Sequence, residues 1–237
     1  VTGWRVEVFD ELASTSADCV ARAEAGAPAG LVIMAARQSA GRGSRGRTWQ
    51  TAPGNLAMSV LVRPDWPLAQ AGFLSLLAGV AVAEALAAQG APGVMLKWPN
   101  DVMLGGAKLG GILIDAAPRG DRLGWAVIGI GLNLAAAPDL PGRMTTCLTS
   151  HGIFVAAHDM AQAILTRLDH WLSASPAAIR AAWLALAHPA GTVMEVAAFG
   201  ATRHGLFAGL SAQGELLLQT ADGHERFNTG EIMLSAV

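Results

Sequence analysis

Apolar and polar positions alternate over residues 5–9, and the hydroxyl-rich "STSAD" (residues 14–18) follows at once. This predicts a short strand, then a helix capped by those hydroxyls and ended by Gly26. An apolar run over 31–36 predicts a buried strand, and strand character resumes over 55–62. Between them, residues 37–54 are rich in glycine and arginine and have no apolar period; a stretch of that kind inside a compact domain usually signals a functional loop. Over 69–89 apolar residues recur at helical spacing, with Leu74, Leu77, Ala81 and Ala85 on one face and Gly90 at the expected C-cap. The lone acid of that segment, Glu84, is expected to face solvent.

Three further apolar runs, 94–98, 108–115 and 123–134, are joined by short turns, one of them at Gly105–Gly106. Short turns make antiparallel hairpins, because parallel neighbours need a long crossover. Helical patterns over 158–172 and 176–187 are expected to cover this sheet, the second with Pro176 at its start, where a missing N–H costs nothing. After His188–Pro189 the texture changes to short β-like runs (192–197, 205–210, 215–219, 224–228, 231–234) separated by glycine. The expectation is an α+β fold: a mixed, largely antiparallel sheet covered by helices in residues 1–187, and a small five-stranded β-barrel in residues 188–237.

Composition narrows the function classes. Hydrophobic residues make up 52% of the 237 and charged ones 14%, yet the longest uncharged apolar runs, 73–83 and 124–138, fall short of the roughly 18–20 residues that span a bilayer. No membrane partner is expected. The first residues lack the basic start and apolar block of a secretory signal, and Cys19 and Cys147 are far apart in no metal-like spacing, which fits inert thiols in a reducing cytoplasm. A net charge of −2 argues against bulk nucleic-acid binding, since phosphate-tracking proteins carry a basic surplus. Among 16 basic residues only Lys97 and Lys108 are lysines, and they fall close together. Where a compact, strongly hydrated point charge is required, arginine is a poor substitute.

Three segments carry candidate chemistry. In "QSAGRGSRGRTWQ" (38–50), glycines permit close backbone approach to a ligand while Arg42, Arg45 and Arg47 supply charge suited to phosphate or carboxylate; read alone, the loop fits a solvated turn or an RNA-brushing tract equally well. "KWPND" (97–101) places a cation, a rigid bend, an amide and a carboxylate within one turn, with Lys108 on the following strand; the plainer reading packs Trp98 and Pro99 in a turn and pairs Asp101 with Lys97 at the surface. "GIGLNL" (129–134) sets Asn133 in an apolar strand, where its amide must be satisfied by a neighbouring turn or by a ligand, and Gly129 and Gly131 leave room for something to lie against that strand.

In order, "STS", "GRGSRGRTW", "KWPND", "KLGGILID", "GIGLNL" and "GEIMLS" closely resemble biotin protein ligase, over residues 9–234. The resemblance implies a biotin/lipoate ligase-like, class II synthetase-like catalytic domain and an SH3-like C-terminal barrel. It implies two steps: biotin and ATP give biotinoyl-adenylate and pyrophosphate, and the acyl group passes to a lysine of a biotin carboxyl carrier domain. On this resemblance Arg42 and Lys108 face the biotin carboxylate and the α-phosphate, Arg47 and Lys97 hold the polyphosphate with Arg45 beside them, and a magnesium ion takes Asp101 as ligand or outer anchor. Asp101 is also the candidate to accept or orient the proton of the acceptor lysine.

The family pattern further assigns biotin's ureido end to Ser14, Thr15 and Gln38, with Gly41, Gly43, Gly111 and Gly129 lining the cleft. Trp49 is to pack over the adenylate or close the loop, and Asn100 and Asn133 are to touch adenosine or phosphate. Ser44 stands where the family usually has a second loop arginine, so weaker retention of the adenylate is expected unless Arg45 compensates. The pattern begins within the first fifteen residues, so no helix-turn-helix repressor module and no DNA partner are expected; the chain is expected to be a monomer or a homodimer. A lipoate-attaching ligase or transferase of the related fold is the alternative enzyme, and a non-catalytic RNA-binding module through the arginine loop is the remote one.

Overall fold

The computed structural model describes residues 3–198 and 200–234. Strand β1 (Arg5–Leu12), helix α1 (Thr15–Glu24) and strand β2 (Leu31–Gln38) open the chain, and β1 and β2 pair in parallel, as the intervening helix allows. Ser14 caps α1, its Oγ accepting from the Ala17 N–H at 3.3 Å. Strand β3 (Leu56–Val62) is buried along its whole length, and helix α2 (Phe73–Ala88) follows. Four strands then form a meander: β4 (Met95–Lys97), β5 (Asp101–Leu104), β6 (Ala107–Arg119) and β7 (Arg122–Leu132). Together they make a seven-stranded mixed sheet in the order β1-β2-β3-β7-β6-β5-β4.

The hydrophobic pattern did not show β5, because the stretch expected to be a plain turn between Trp98 and Lys108 carries its own short run, Val102–Met103–Leu104, which pairs with strands on both sides. Strand alternation splits the core in two. On one face of the sheet Leu31, Ile33, Leu61 and Val127 pack under Cys19 and Ala23 of α1; on the other, Val32, Met34, Met58 and Val60 join the main core cluster with residues of α2 and α3 (Ala157–Trp171).

Helix α2 departs from the expected single apolar face. It is buried around most of its circumference, since α3 (Ala157–Trp171) and α4 (Pro176–Leu186) pack over its outer side, and a helix enclosed on all sides reads as apolar all round. With the turn before it, Leu68–Ala88 has the length and apolarity to cross a bilayer, contrary to the sequence expectation, but 67% of it is buried inside the chain, which marks a core helix. Glu84 is only half exposed and accepts from Trp171 Nε1 at 3.1 Å.

Strands β8 (Val193–Ala198), β9 (Ala201–Leu210), β10 (Leu216–Thr220), β11 (Gly223–Phe227) and β12 (Glu231–Leu234) form an antiparallel sheet in the order β11-β10-β9-β8-β12. This sheet leans on the first: Trp98 is buried at the junction, donating from Nε1 to Gly214 O at 3.3 Å, and Arg180 of α4 donates to Leu210 O at 3.2 Å. The Trp98 side chain is thus a packing element between the two sheets.

Candidate active site

A cleft opens on the α1 side of the large sheet, floored by β3, β6 and β7, with the start of α1 at one end and the arginine loop across it. Its inner end is polar and internally satisfied. Gln38 Oε1 accepts from the Thr15 N–H at 2.8 Å and from Thr15 Oγ1 at 3.2 Å, while Ser59 Oγ donates to Thr15 Oγ1 at 2.9 Å and Gln38 Nε2 donates to Thr51 Oγ1 at 3.0 Å. Ser59, fully buried on β3, was not legible in the sequence, because in an apolar strand a serine carries no period of its own. Ser14 lines the cleft and caps the helix at the same time.

The arginine loop is folded rather than splayed. Trp49 N–H donates to Gly41 O at 2.8 Å and Gly43 N–H to Arg47 O at 2.7 Å, a narrow reversal with Arg45 near its tip at a left-handed φ of 59°. Gly41 is required for packing: a Cβ there would lie 2.3 Å from Trp49 O. The reversal carries the Trp49 indole down onto the glycine-lined floor, where Gly111 and Gly131 are paired on β6 and β7; a Cβ at Gly131 would come 2.4 Å from the indole. Lys108 Nζ stands 5.9 Å from the ring centroid, within cation–π range.

Two polar atoms in this cleft are buried without a partner among the described residues: the Trp49 Nε1 donor and the Asn133 Oδ1 acceptor. The Asn133 amide donates to Thr146 O at 3.1 Å, so the residue both holds the segment after β7 and leaves one lone acceptor. Buried polar atoms are nearly always satisfied, and an orphan donor and an orphan acceptor lining one cleft mark a place for a polar ligand. Asn100 lines the cleft too, with its amide committed to Ile112 O at 2.7 Å.

The cations divide into three groups. Arg42 lies against Asp115 of β6, with Nη1 and Nη2 at 3.2 and 3.0 Å from its two oxygens. Lys108 and Lys97 share Asp101: Lys108 pairs with one oxygen and Lys97 Nζ is 3.1 Å from the other. Burial alone would raise the Asp101 carboxyl, but the two ammonium groups outweigh it and hold it below the usual carboxylate range. Arg47, Arg45 and Arg143 converge on Glu231 of β12, at 2.6 Å for Arg47 and 3.5 Å for Arg45, with Arg143 in direct contact. Burial again opposes ionisation there, and the three guanidiniums, led by the Arg47 hydrogen bond, lower the Glu231 value.

Of the residues the sequence singled out, Ser14, Thr15, Gln38, Arg42, Gly43, Arg47, Trp49, Asn100, Lys108, Gly111, Gly129 and Asn133 line this one cleft; Gly41, Arg45, Lys97 and Asp101 stand outside its wall. Lys97 is one carboxylate away from it, through Asp101. Arg45 turns toward Glu231 of the C-terminal sheet, so it does not stand in at Ser44, where the resemblance implied an arginine; Ser44 Oγ instead accepts from Arg47 Nη2 at 3.1 Å. Arg42 and Arg47 are engaged by carboxylates, so the loop is not the solvated turn that its sequence alone allowed. Sequence reading missed Arg143, which belongs to no motif, and the roles of Ser16, Asp115 and Glu231, which end or flank quoted motifs but acquire partners only in space.

The donor set does not fit a magnesium ion held by the protein. Both Asp101 oxygens are taken by ammonium groups, and no group of three His, Cys, Asp or Glu side chains suited to a metal occurs among the described residues. Two ammonium groups around one carboxylate leave a net positive charge that disfavours a further cation.

Comparisons with known proteins agree with this architecture. Residues 14–133 match the model of the Biotin/lipoate A/B protein ligase family, and residues 200–235 match the Biotin protein ligase C terminal domain. The bifunctional ligase/repressor BirA of Bacillus subtilis is 32% identical over 99% of this chain and 75% of its own length. The biotin--[acetyl-CoA-carboxylase] ligase of Paracoccus denitrificans is 33% identical over 84% of this chain and 88% of its own. Among solved structures, the biotin protein ligase of Aquifex aeolicus in complex with biotin and ATP superposes with a TM-score of 0.81 at 26% identity, covering 98% of this chain and 99% of that one.

Proposed function

The chain belongs to the biotin/lipoate A/B protein ligase family, and from that membership and the make-up of its cleft we infer that it is an ATP-dependent biotin ligase. It activates biotin to biotinoyl-5'-adenylate and transfers the acyl group to a lysine of a carboxylase carrier domain. The observation that carries this reading is that Arg42 and Arg47 of the loop and Lys108 of β6, distant in sequence, line one cleft whose far end is a closed polar network.

Joining a carboxylate to an α-phosphate brings two anions into contact, and the barrier falls only when fixed cations neutralise both in a water-poor place. In our reading Lys108 and Arg42 stand at the reacting pair, and Arg47 faces the departing phosphates. Lys97 acts at one remove: it fixes Asp101, and Asp101 fixes Lys108. The Thr15–Gln38–Ser59 network suits a ureido ring, which both donates and accepts, and the apolar floor of Ala57, Leu113 and Gly129 suits an aliphatic tail. The orphan Trp49 Nε1 and Asn133 Oδ1 are placed to meet polar atoms of the nucleotide or the acyl chain.

In the second step a cationic carrier lysine must approach and lose a proton. Asp101, held ionised with both oxygens taken by ammonium groups, is a weak base and disfavours a third cation, so its proposed part is to hold Lys108 in place rather than to take the proton of the incoming lysine. A divalent cation would enter as the ATP salt, since magnesium favours phosphate oxygens and water. We place the boundary between the catalytic unit and the C-terminal sheet near residues 187–188, and we assign the chain to the reducing cytoplasm on the strength of its two unpaired thiols.

The test is to mix the protein with ATP, magnesium, a carrier domain and either biotin or lipoate, and to weigh the carrier. One added biotinoyl group, with pyrophosphate released only when biotin is present, is expected; a carrier unchanged by biotin but loaded with lipoate would transfer the reading to the lipoate branch.

A further inference from the structure

Arg42 sits on a loop, yet its guanidinium is held from outside the loop by two separate segments. Asp115, on the cleft face of β6, meets Nη1 and Nη2 end-on at 3.2 and 3.0 Å, and Ser16, buried in the first turn of α1, donates from Oγ to Asp115 Oδ2 at 2.6 Å while lying 3.4 Å from Arg42 Nη1. The hydroxyl thus fixes the carboxylate, and the carboxylate fixes the arginine.

A guanidinium carries five N–H donors in a rigid fork. The end-on grip uses one hydrogen of each Nη, and Ser16 Oγ, beside Oδ2, shares the Nη1 hydrogen with the carboxylate. The described residues offer no partner to Nε, and the remaining Nη2 hydrogen is on the same side of the plane's rim. Those two donors form the side-on fork that accepts a carboxylate with two parallel hydrogen bonds.

We propose that Asp115, steadied by Ser16, is a positioning residue: it takes the end of the Arg42 guanidinium so that the Nε/Nη2 edge is presented in the cleft as a preset fork for the carboxylate of the acid substrate. This rests on the ligase reading above for the identity of the acid. It explains why an arginine rather than a lysine serves here: a point charge cannot be held by one carboxylate and fork another.

The test measures steady-state pyrophosphate release with separate titrations of biotin and ATP. Asp115→Asn is expected to raise KM for biotin about ten-fold and leave KM for ATP within about two-fold, because only the acid-binding fork is unseated. Asp115→Glu should recover part of the loss. Combined with Arg42→Ala, Asp115→Asn should add almost nothing, as expected of two residues acting as one unit. Ser16→Ala should shift KM for biotin in the same direction by a smaller factor, and it serves if Asp115→Asn lowers the melting temperature markedly.

An unchanged or lowered KM for biotin in Asp115→Asn or Ser16→Ala, or full additivity with Arg42→Ala, would overturn the inference. Wild-type protein that releases no pyrophosphate with biotin would instead sink the ligase reading, so the two failures are distinguishable.

Discussion

The Trp49 indole occupies the space that any side chain at Gly131 would need: a Cβ there would lie 2.4 Å from Cε2 and 2.6 Å from Nε1. Glycine on β7 is therefore what lets the arginine loop dock. Overpacking at such a contact costs about 1–3 kcal/mol, but the clash can be relieved by moving the loop, since β7 is locked between β3 and β6. Gly131→Ala is expected to leave the melting temperature within a few degrees of wild type while reducing kcat/KM by about ten-fold or more. Unaltered kinetics in this variant would show that Trp49 need not rest on the floor of the cleft.

Asp101 is shared by the chain's only two lysines, and its removal strands both. Asp101→Asn leaves two poorly exposed ammonium groups without their counterion, and breaking a buried pair in this way costs about 3 kcal/mol. A lower urea midpoint at neutral pH is the expected reading. The folded-state value is depressed, so the wild-type contribution is whole above about pH 4, near the unfolded carboxylate value, and is lost as pH falls through the folded value. The Asn variant should therefore lose less stability than wild type between about pH 5 and pH 2.

Glu231 joins the C-terminal sheet to both segments that flank the cleft, through Arg47 of the arginine loop and Arg143 of the segment after β7. Three guanidiniums about one carboxylate leave a surplus of positive charge, which suits a polyphosphate. Glu231→Gln should loosen both arginines and raise KM for ATP about three- to ten-fold, with KM for biotin nearly constant. Limited proteolysis near residues 42–47 should quicken in the same variant; equal cleavage rates in the two proteins would argue that the loop is held from elsewhere.

Ser44 holds the loop position where the family resemblance led to the expectation of an arginine, and Arg45 points to Glu231 rather than into the cleft. Ser44→Arg is expected to slow escape of the adenylate several-fold, because a cation on the cleft wall adds attraction for the phosphate in a partly desolvated place. Identical release rates after rapid dilution of the preformed intermediate would dispose of this expectation.

How far the sequence reached can be judged from particular residues. Helix α1 was legible because its start is a local device: Ser14 caps the N–H of Ala17, three residues away. Most strands of the C-terminal sheet were legible because glycine marks their ends, although β9 begins at Ala201 and runs through Gly205, where the sequence placed its start; the strand meander was legible because short turns force antiparallel pairing. Strand β5 was lost among the turn residues of "KWPND", and α2 was mistaken for a one-faced helix, since the neighbours that bury its outer side, α3 and α4, come some 70–100 positions later.

The residue types of the site were written in the chain itself: two lysines near one aspartate, an arginine-glycine loop, an asparagine in an apolar strand. What only the tertiary structure decided was which charge meets which. Arg42 finds Asp115 at a separation of 73 residues and Arg47 finds Glu231 at 184, and no local propensity encodes such pairs. Electrostatic contacts depend on distance in space, and that distance is set by the register of the large sheet and by the packing of the second sheet against it.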